Sequence, residues 1–172
     1  MAINAIKRVL AGAPRPDHRR TLQHGQVIDA ALFRRMAAPR PSANVVSNHH
    51  WYWGDQHHDT TMGPDRAHRL DACRSALDVG AALAIHSDTP LARVTPLVSA
   101  RCAVNRVTPS GRVLDVAERL TVDEALHAIS LGAAWMLEPD HEIGSVECGK
   151  RADLAVLDDG SRSVLPVPFR SR

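Results

Sequence analysis

The residues best placed by type and spacing to do chemistry lie in one stretch, Ala82-Leu83-Ala84-Ile85-His86-Ser87-Asp88-Thr89-Pro90. A short apolar run after Gly80 ends in a polar cluster and a proline, which reads as a buried strand with a chemically equipped C-terminal end. At a period of two, Ala84, His86 and Asp88 share one face, while Leu83, Ile85 and Ser87 take the other. An acid at the end of a buried strand is the usual position of a catalytic group in a barrel enzyme. Asp also caps turns before Pro, so this stretch alone leaves Asp88 open between catalytic acid and turn cap.

A second dense patch is His49-His50-Trp51-Tyr52-Trp53-Gly54-Asp55-Gln56-His57-His58-Asp59. An independent metal site built from His49, His50, His57, His58 and Asp59 is one reading of it. On a strand, adjacent histidines point to opposite faces, so each pair supplies at most one ligand to a shared ion. Structural zinc sites also carry characteristic Cys and His spacings, and this patch has no Cys. Solvated loop histidines are the simpler account.

The elements that must position these residues follow an alternating pattern. Ala5 to Leu10 is helical in pattern and ends at Gly12 and the Pro14, Pro16 pair. Arg19 to Gly25 reads as a short strand entering a loop, and Ile28 to Ala38 as a helix with Ile28, Leu32 and Met36 inward. Ala43 to Ser47 is another brief buried strand after the Pro39, Pro41 turn, and His49 to Gly63 reads as irregular. Asp65 to Val79 spaces Leu70, Cys73 and Leu77 as a helix stopped by Gly80. Pro96 to Val104 reads as a helix and Thr108 to Gly111 as a turn. Thr121 and Glu124 form a capping box for a helix through Leu131, with Gly132 as an interruption before Leu137. Glu142 to Asp158 reads as a turn and then a strand, and Gly160 to Arg172 as a loosely ordered tail. Strand-then-helix units in succession predict a parallel sheet of βα type.

Composition narrows the class. The 172 residues suffice for a buried core, and aromatic residues at 3% leave that core to Ala, Val, Leu and Ile. A formal charge of +2 with scattered Arg and Lys makes no case for nucleic acid or an anionic membrane. No stretch approaches the roughly 20 apolar residues of a membrane span, and the first residues do not open a secretion signal. Cys73, Cys102 and Cys148 are odd in number and far apart, which suits reduced thiols in a cytoplasmic protein.

Several motifs together carry a resemblance. Gly144-Ser145-Val146-Glu147-Cys148-Gly149-Lys150-Arg151-Ala152-Asp153-Leu154-Ala155-Val156-Leu157 resembles the GSxxxGKxADLxVL signature of the amidohydrolase superfamily. In that family it leads from the catalytic barrel back into a small β-sandwich. Ser87-Asp88-Thr89-Pro90, Thr121-x-x-Glu124-Ala125-Leu126, Trp53-Gly54-Asp55, Gly63-Pro64-Asp65-Arg66-Ala67 and Ala5 to Leu10 are similar to the amidohydrolase family 3 group, which includes N-substituted formamide deformylases. The resemblance runs from about Ala5 to Leu157 in the family's own order.

The resemblance implies an α/β fold, the C-terminal part of a TIM (β/α)8 barrel from about its sixth to its eighth strand. Residues 1–140 would be partial barrel, 141–158 the start of a β-sandwich, and 159–172 the tail. It implies a metal-dependent hydrolase, with zinc as the divalent cofactor, cleaving a non-peptide C–N bond of a small-molecule amide, formamide or cyclic amide. His24, closing the sixth-strand motif Arg19-Arg20-Thr21-Leu22-Gln23-His24, would be a metal ligand; the family usually has Glu where Gln23 stands. Asp88 would be both metal ligand and catalytic base. His86, where the family commonly has Gly, is a departure and is not assigned as a ligand. His50 or Tyr52 would donate hydrogen bonds to substrate from the loop over the barrel mouth. The family's first-strand His-x-His pair is absent, since no such spacing occurs in the chain, and the fourth- and fifth-strand ligands have no counterpart. The resemblance therefore also implies a fragment, completed by a homo-oligomer or a missing N-terminal half, with a noncatalytic truncated or split-enzyme piece as the alternative.

Overall fold

Three short strands pair in parallel in the order β1-β2-β3 in the computed structural model, which describes residues 2–36 and 41–157. They are β1 (Thr21–His24), β2 (Ser42–Val45) and β3 (Leu83–Ile85). Their register brings His24 level with Val45 and Val45 level with Ile85, so the three C-terminal ends lie side by side. All of β3 is buried, as its continuous apolar run requires of a strand covered on both faces. The parallel βα arrangement expected from the sequence is thus observed.

Helices α1 (Ala2–Gly12) and α2 (Ala30–Met36) flank β1 in sequence, and α3 (His49–Gln56) follows β2. Next come α4 (Pro64–Ala67) and α5 (Cys73–Asp78), then α6 (Pro96–Asn105) after β3. Finally α7 (Val122–Ile129) and α8 (Leu131–Met136) pack on β3. The core joins Ile3, Phe33, Met36, Val45, Leu83, Ile85, Leu120 and many alanines, with little aromatic bulk. The capping box forms as its spacing demands: the Thr121 side chain accepts from the Glu124 N–H, and the Thr121 N–H donates to Glu124 Oε2 at 2.8 Å. No described helix is long and apolar enough to cross a membrane. Cys73 and Cys102 are free and buried, and Cys148 is free and exposed.

Four expectations need correction. The segment from His49 is helical: α3 runs into a π-helical turn over His57–Thr61, with the His49 ring edge-on to Trp53 one turn later at 4.9 Å. Polar residues on every side of this helix hide its period. The helix expected over residues 65–79 breaks at Asp71, whose φ is 49°. There the Arg106 guanidinium takes the carbonyls of His68, Leu70 and Asp71 at 2.7–3.1 Å, which a continuous helix would need for itself. The last helical pair separates at Ser130, not at Gly132, and the Ser130 hydroxyl donates back to the Leu126 carbonyl at 2.7 Å. Gly132 serves packing instead, since a Cβ there would lie 2.3 Å from the Leu83 carbonyl oxygen. Residues 151–157 form no strand, and no strand pairs with them among the described residues. The expected tail, residues 159–172, lies outside the described residues.

Candidate functional site

The level strand ends gather the candidate chemistry. His24 closes β1 and Asp88 follows β3 by three residues, and their side chains meet across the sheet with His24 Nε2 at 3.6 Å from Asp88 Oδ1. Both residues hold left-handed backbone, φ 65° for His24 and 59° for Asp88. Non-glycine residues keep that conformation where surrounding structure enforces it, and such residues concentrate at functional sites. The turn at Asp88 also ends the alternation expected along 84, 86 and 88, so Asp88 faces His24 through the turn and not through strand pleating. The Asp88 side chain is 21% exposed and that of His24 49%, which leaves the pair open to solvent and solutes.

Two further histidines crowd this pair. The His86 ring stands edge-on to His24 with centroids 5.2 Å apart, and its Nε2 is buried without a hydrogen-bond partner among the described residues. Burial, and then the neighbouring His24, pushes the His86 imidazole below its ordinary pKa. His49, the first residue of α3, is 9% exposed and has a buried, unpartnered Nδ1. Burial pulls its imidazole down to about 4, while Asp88 opposes the shift. At neutral pH His49 is therefore an uncharged imidazole in the electrostatic field of Asp88, His24 and His86. From sequence His49 reads as a solvated loop histidine, because the helix that buries it reads as a loop.

Of the two expected substrate donors, the structure separates Tyr52 from His50. Tyr52 is 44% exposed, with its ring 5.4 Å from that of Trp53. His50 is fully buried on the inward side of α3, with Nε2 3.1 Å from the Leu70 carbonyl and 3.5 Å from Asp71 Oδ2. The expectation that His50 contacts substrate is corrected: a ring enclosed in the core has no face left for a ligand. Burial, followed by the charge of Arg106, holds its pKa well below the ordinary value. His58 turns away to Asp59 at 2.6 Å and toward the His68 ring. The histidine-rich patch is thus dispersed, two of its members are buried instead of solvated, and it forms no independent metal centre among the described residues.

Helix α3 is seated from outside by Asp55. Its carboxylate accepts from the Thr108 hydroxyl at 2.7 Å, from the Ser110 N–H and hydroxyl at 3.0 and 2.6 Å, and from Arg112 at 3.2 Å. Gly54 makes that approach possible, since a Cβ there would sit 2.7 Å from Thr108 Cγ2. Trp53-Gly54-Asp55 is therefore a docking device for the helix that carries His49 and Tyr52.

The donor chemistry of His24 and Asp88 fits part of a metal centre. Imidazole and carboxylate are ordinary zinc ligands, and two donors on one tetrahedral ion with bonds of about 2.0–2.2 Å stand about 3.3–3.6 Å apart. The observed 3.6 Å is too long for a strong hydrogen bond and suits two ligands of a shared ion. The set is incomplete, for no group of three or more such donors converges among the described residues.

Comparison with known proteins sharpens the assignment. A family model described as "Amidohydrolase family" matches residues 1–168. The N-substituted formamide deformylase of Arthrobacter pascens is 36% identical over 140 residues, covering 80% of this chain and 25% of the relative. The imidazolonepropionase of Geobacillus sp. (strain WCH70) is 32% identical over 90 residues, covering 49% of this chain and 18% of that protein. Among solved structures, an uncharacterized metal-dependent hydrolase from Pyrococcus horikoshii OT3 superposes with a TM-score of 0.78 at 20% identity, over 96% of this chain and 32% of the other. This last likeness is one of fold. The chain spans about a quarter of the length of the first curated relative it matches.

Proposed function

The chain belongs to the amidohydrolase family, and on that premise we propose that it forms the C-terminal part of a metal-dependent amidohydrolase barrel, with β1, β2 and β3 as its sixth to eighth strands. The reaction proposed is hydrolysis of a non-peptide C–N bond in a small amide, formamide or cyclic amide. The observation that carries the reading is the His24–Asp88 pair at 3.6 Å, held at level strand ends by two left-handed residues. His24 Nε2 and an Asp88 oxygen would hold a divalent ion, for which zinc suits the donors. Such an ion, when bound, polarises a carbonyl and lowers the pKa of water toward about 7.

The remaining work falls to side chains. The Asp88 carboxylate accepts the proton of the water that attacks the amide carbon, and returns it to the departing amine. Tyr52, exposed beside Trp53, orients the amide through its hydroxyl. Burial pushes the His49 and His86 imidazoles toward their uncharged forms, which lessens positive charge that would compete with a cation at Asp88.

A second reading is a noncatalytic piece that needs a partner chain. It is favoured by the two-donor site, since catalytic zinc normally takes three protein ligands. Metal content after gel filtration decides between them. Stoichiometric zinc that is lost in His24→Ala and Asp88→Asn supports the first reading, whereas a well-folded, metal-free chain after zinc loading supports the second.

A further inference from the structure

Asn48 lies between β2 and α3 and is fully buried, although its side chain is polar and caps no helix. Its Nδ2 donates to the Ser87 carbonyl at 3.1 Å, and its Oδ1 is buried with no partner among the described residues. A half-satisfied buried amide is a costly feature, so the bond it makes calls for a reason. Ser87 immediately precedes Asp88, whose φ of 59° lies in the left-handed region that non-glycine residues hold at some cost. One residue earlier, the His86 N–H donates to the Val45 carbonyl at 3.0 Å, and after the turn the Leu91 N–H donates to the Asp88 carbonyl at 2.9 Å. Between these two anchors the Asn48 side chain holds the Ser87 carbonyl itself, while the Ser87 hydroxyl accepts from the Thr95 N–H at 3.3 Å and lies 3.5 Å from the Ser99 hydroxyl.

From this geometry we propose that Asn48 is a positioning residue: its bond to the Ser87 carbonyl locks the peptide ahead of Asp88 and keeps the carboxylate turned toward His24. Its consequence for metal binding rests on the proposed ligand roles of His24 and Asp88. The neighbouring Ser47 provides a contrast. Its hydroxyl donates to the Ser99 carbonyl at 2.6 Å and so ties the same turn to α6 without bonding to the Ser87–Asp88 peptide.

The test is nuclear magnetic resonance on the isotope-labelled full chain. Asn48→Leu keeps the size and removes both the donor and the unpartnered oxygen; Asn48→Ala is the second variant should the first not fold. The readout is the Asp88 amide-to-Hα Overhauser effect within the residue, intense at positive φ and weaker at negative φ. It is expected to be intense in the parent and in Ser47→Ala and to weaken in the Asn48 variants. The Kd for added zinc chloride, followed through the His24 ring signals, should rise about tenfold in the Asn48 variants, as for other residues that orient ligands. An unchanged Asp88 signal in both Asn48 variants overturns the proposal. If zinc leaves the His24 and Asp88 signals of the parent unmoved, the ligand reading fails instead, and the Overhauser effect still decides the role of Asn48.

Discussion

Replacing Asp71 with Asn should stabilise this protein at neutral and alkaline pH, a gain confined to conditions in which the carboxyl must ionise. Asp71 is fully buried and neither carboxylate oxygen has a hydrogen-bond partner among the described residues. Burial drives its pKa well above the carboxylate range, and the nearby Arg106 only partly opposes that. A folded-state pKa raised above the unfolded value of about 3.9 means that the native chain binds the extra proton. Stability is therefore full below that value and falls as pH rises toward the folded pKa. Asn has the same shape, tolerates the left-handed φ of 49°, and does not titrate. It leaves an unpartnered amide, which costs about 1–3 kcal/mol, where the ionised acid costs more. The net gain should be about 1–2 kcal/mol at pH 8, or roughly 3–6 °C in Tm for a chain of this size, and close to nil at pH 3.5. Urea denaturation at both pH values measures it. Arg106 keeps its acceptors on Leu114, Asp71, His68 and Leu70 in the variant. A loss of about 3–5 kcal/mol at pH 8 would show that the guanidinium needs Asp71 as its counter-ion, the cost of breaking a buried pair, and would refute the reasoning.

Two more expectations concern the same scaffold. The His49 imidazole is depressed to about 4, so its contribution to stability is complete above pH 6.5 and is lost as pH falls through 4. Unfolding free energy should drop by about 2 kcal/mol more between pH 7.5 and 5 in the parent than in His49→Gln; equal slopes would contradict the assignment of His49 to an uncharged, enclosed ring. Gly132→Ala would put a methyl 2.3 Å from the Leu83 carbonyl oxygen and 3.2 Å from that of His127. Both neighbours are backbone, so α8 must retreat from β3, and the urea midpoint should register a loss of about 3 kcal/mol. A loss below about 1 kcal/mol would mean that this contact yields easily.

The periodic parts of the fold were legible in the sequence. Short runs bounded by Gly or Pro located β2 and β3, Gly25 marked the loop that ends β1, and the Thr121–Glu124 spacing located the start of α7. What escaped was set by distant partners. Nothing local to residues 65–79 announces that Arg106, more than thirty positions later, captures the carbonyls of His68, Leu70 and Asp71. The polar sequence of α3 has no clean apolar stripe, and its placement depends on Asp55 meeting Thr108 and Ser110. The same mechanism explains the site. His24 and Asp88 were found from motif likeness and lie together, whereas His49 reads from sequence as a solvated loop residue and His50 as a substrate donor, because a segment read as a loop gives no sign that both rings are buried. The strand expected within Glu142 to Asp158 has no paired neighbour among the described residues, and strand formation is a property of pairs.

The level register of the three strands bears on how such a protein can diversify. Pairing between β1, β2 and β3 is carried by backbone groups, which are the same for every residue type but proline. The side chains at His24, in the turn after Val45 and beyond Ile85 can therefore be exchanged by substitution without disturbing the ladder that presents them. Connections of any length can be inserted past those ends, provided that the next helix still packs. Selection acting on a handful of strand-terminal and post-strand positions would then change what is recognised or transformed, while the alanine-rich interior stays as it is. In that sense the sheet is an inherited chassis, and the chemistry is its interchangeable load.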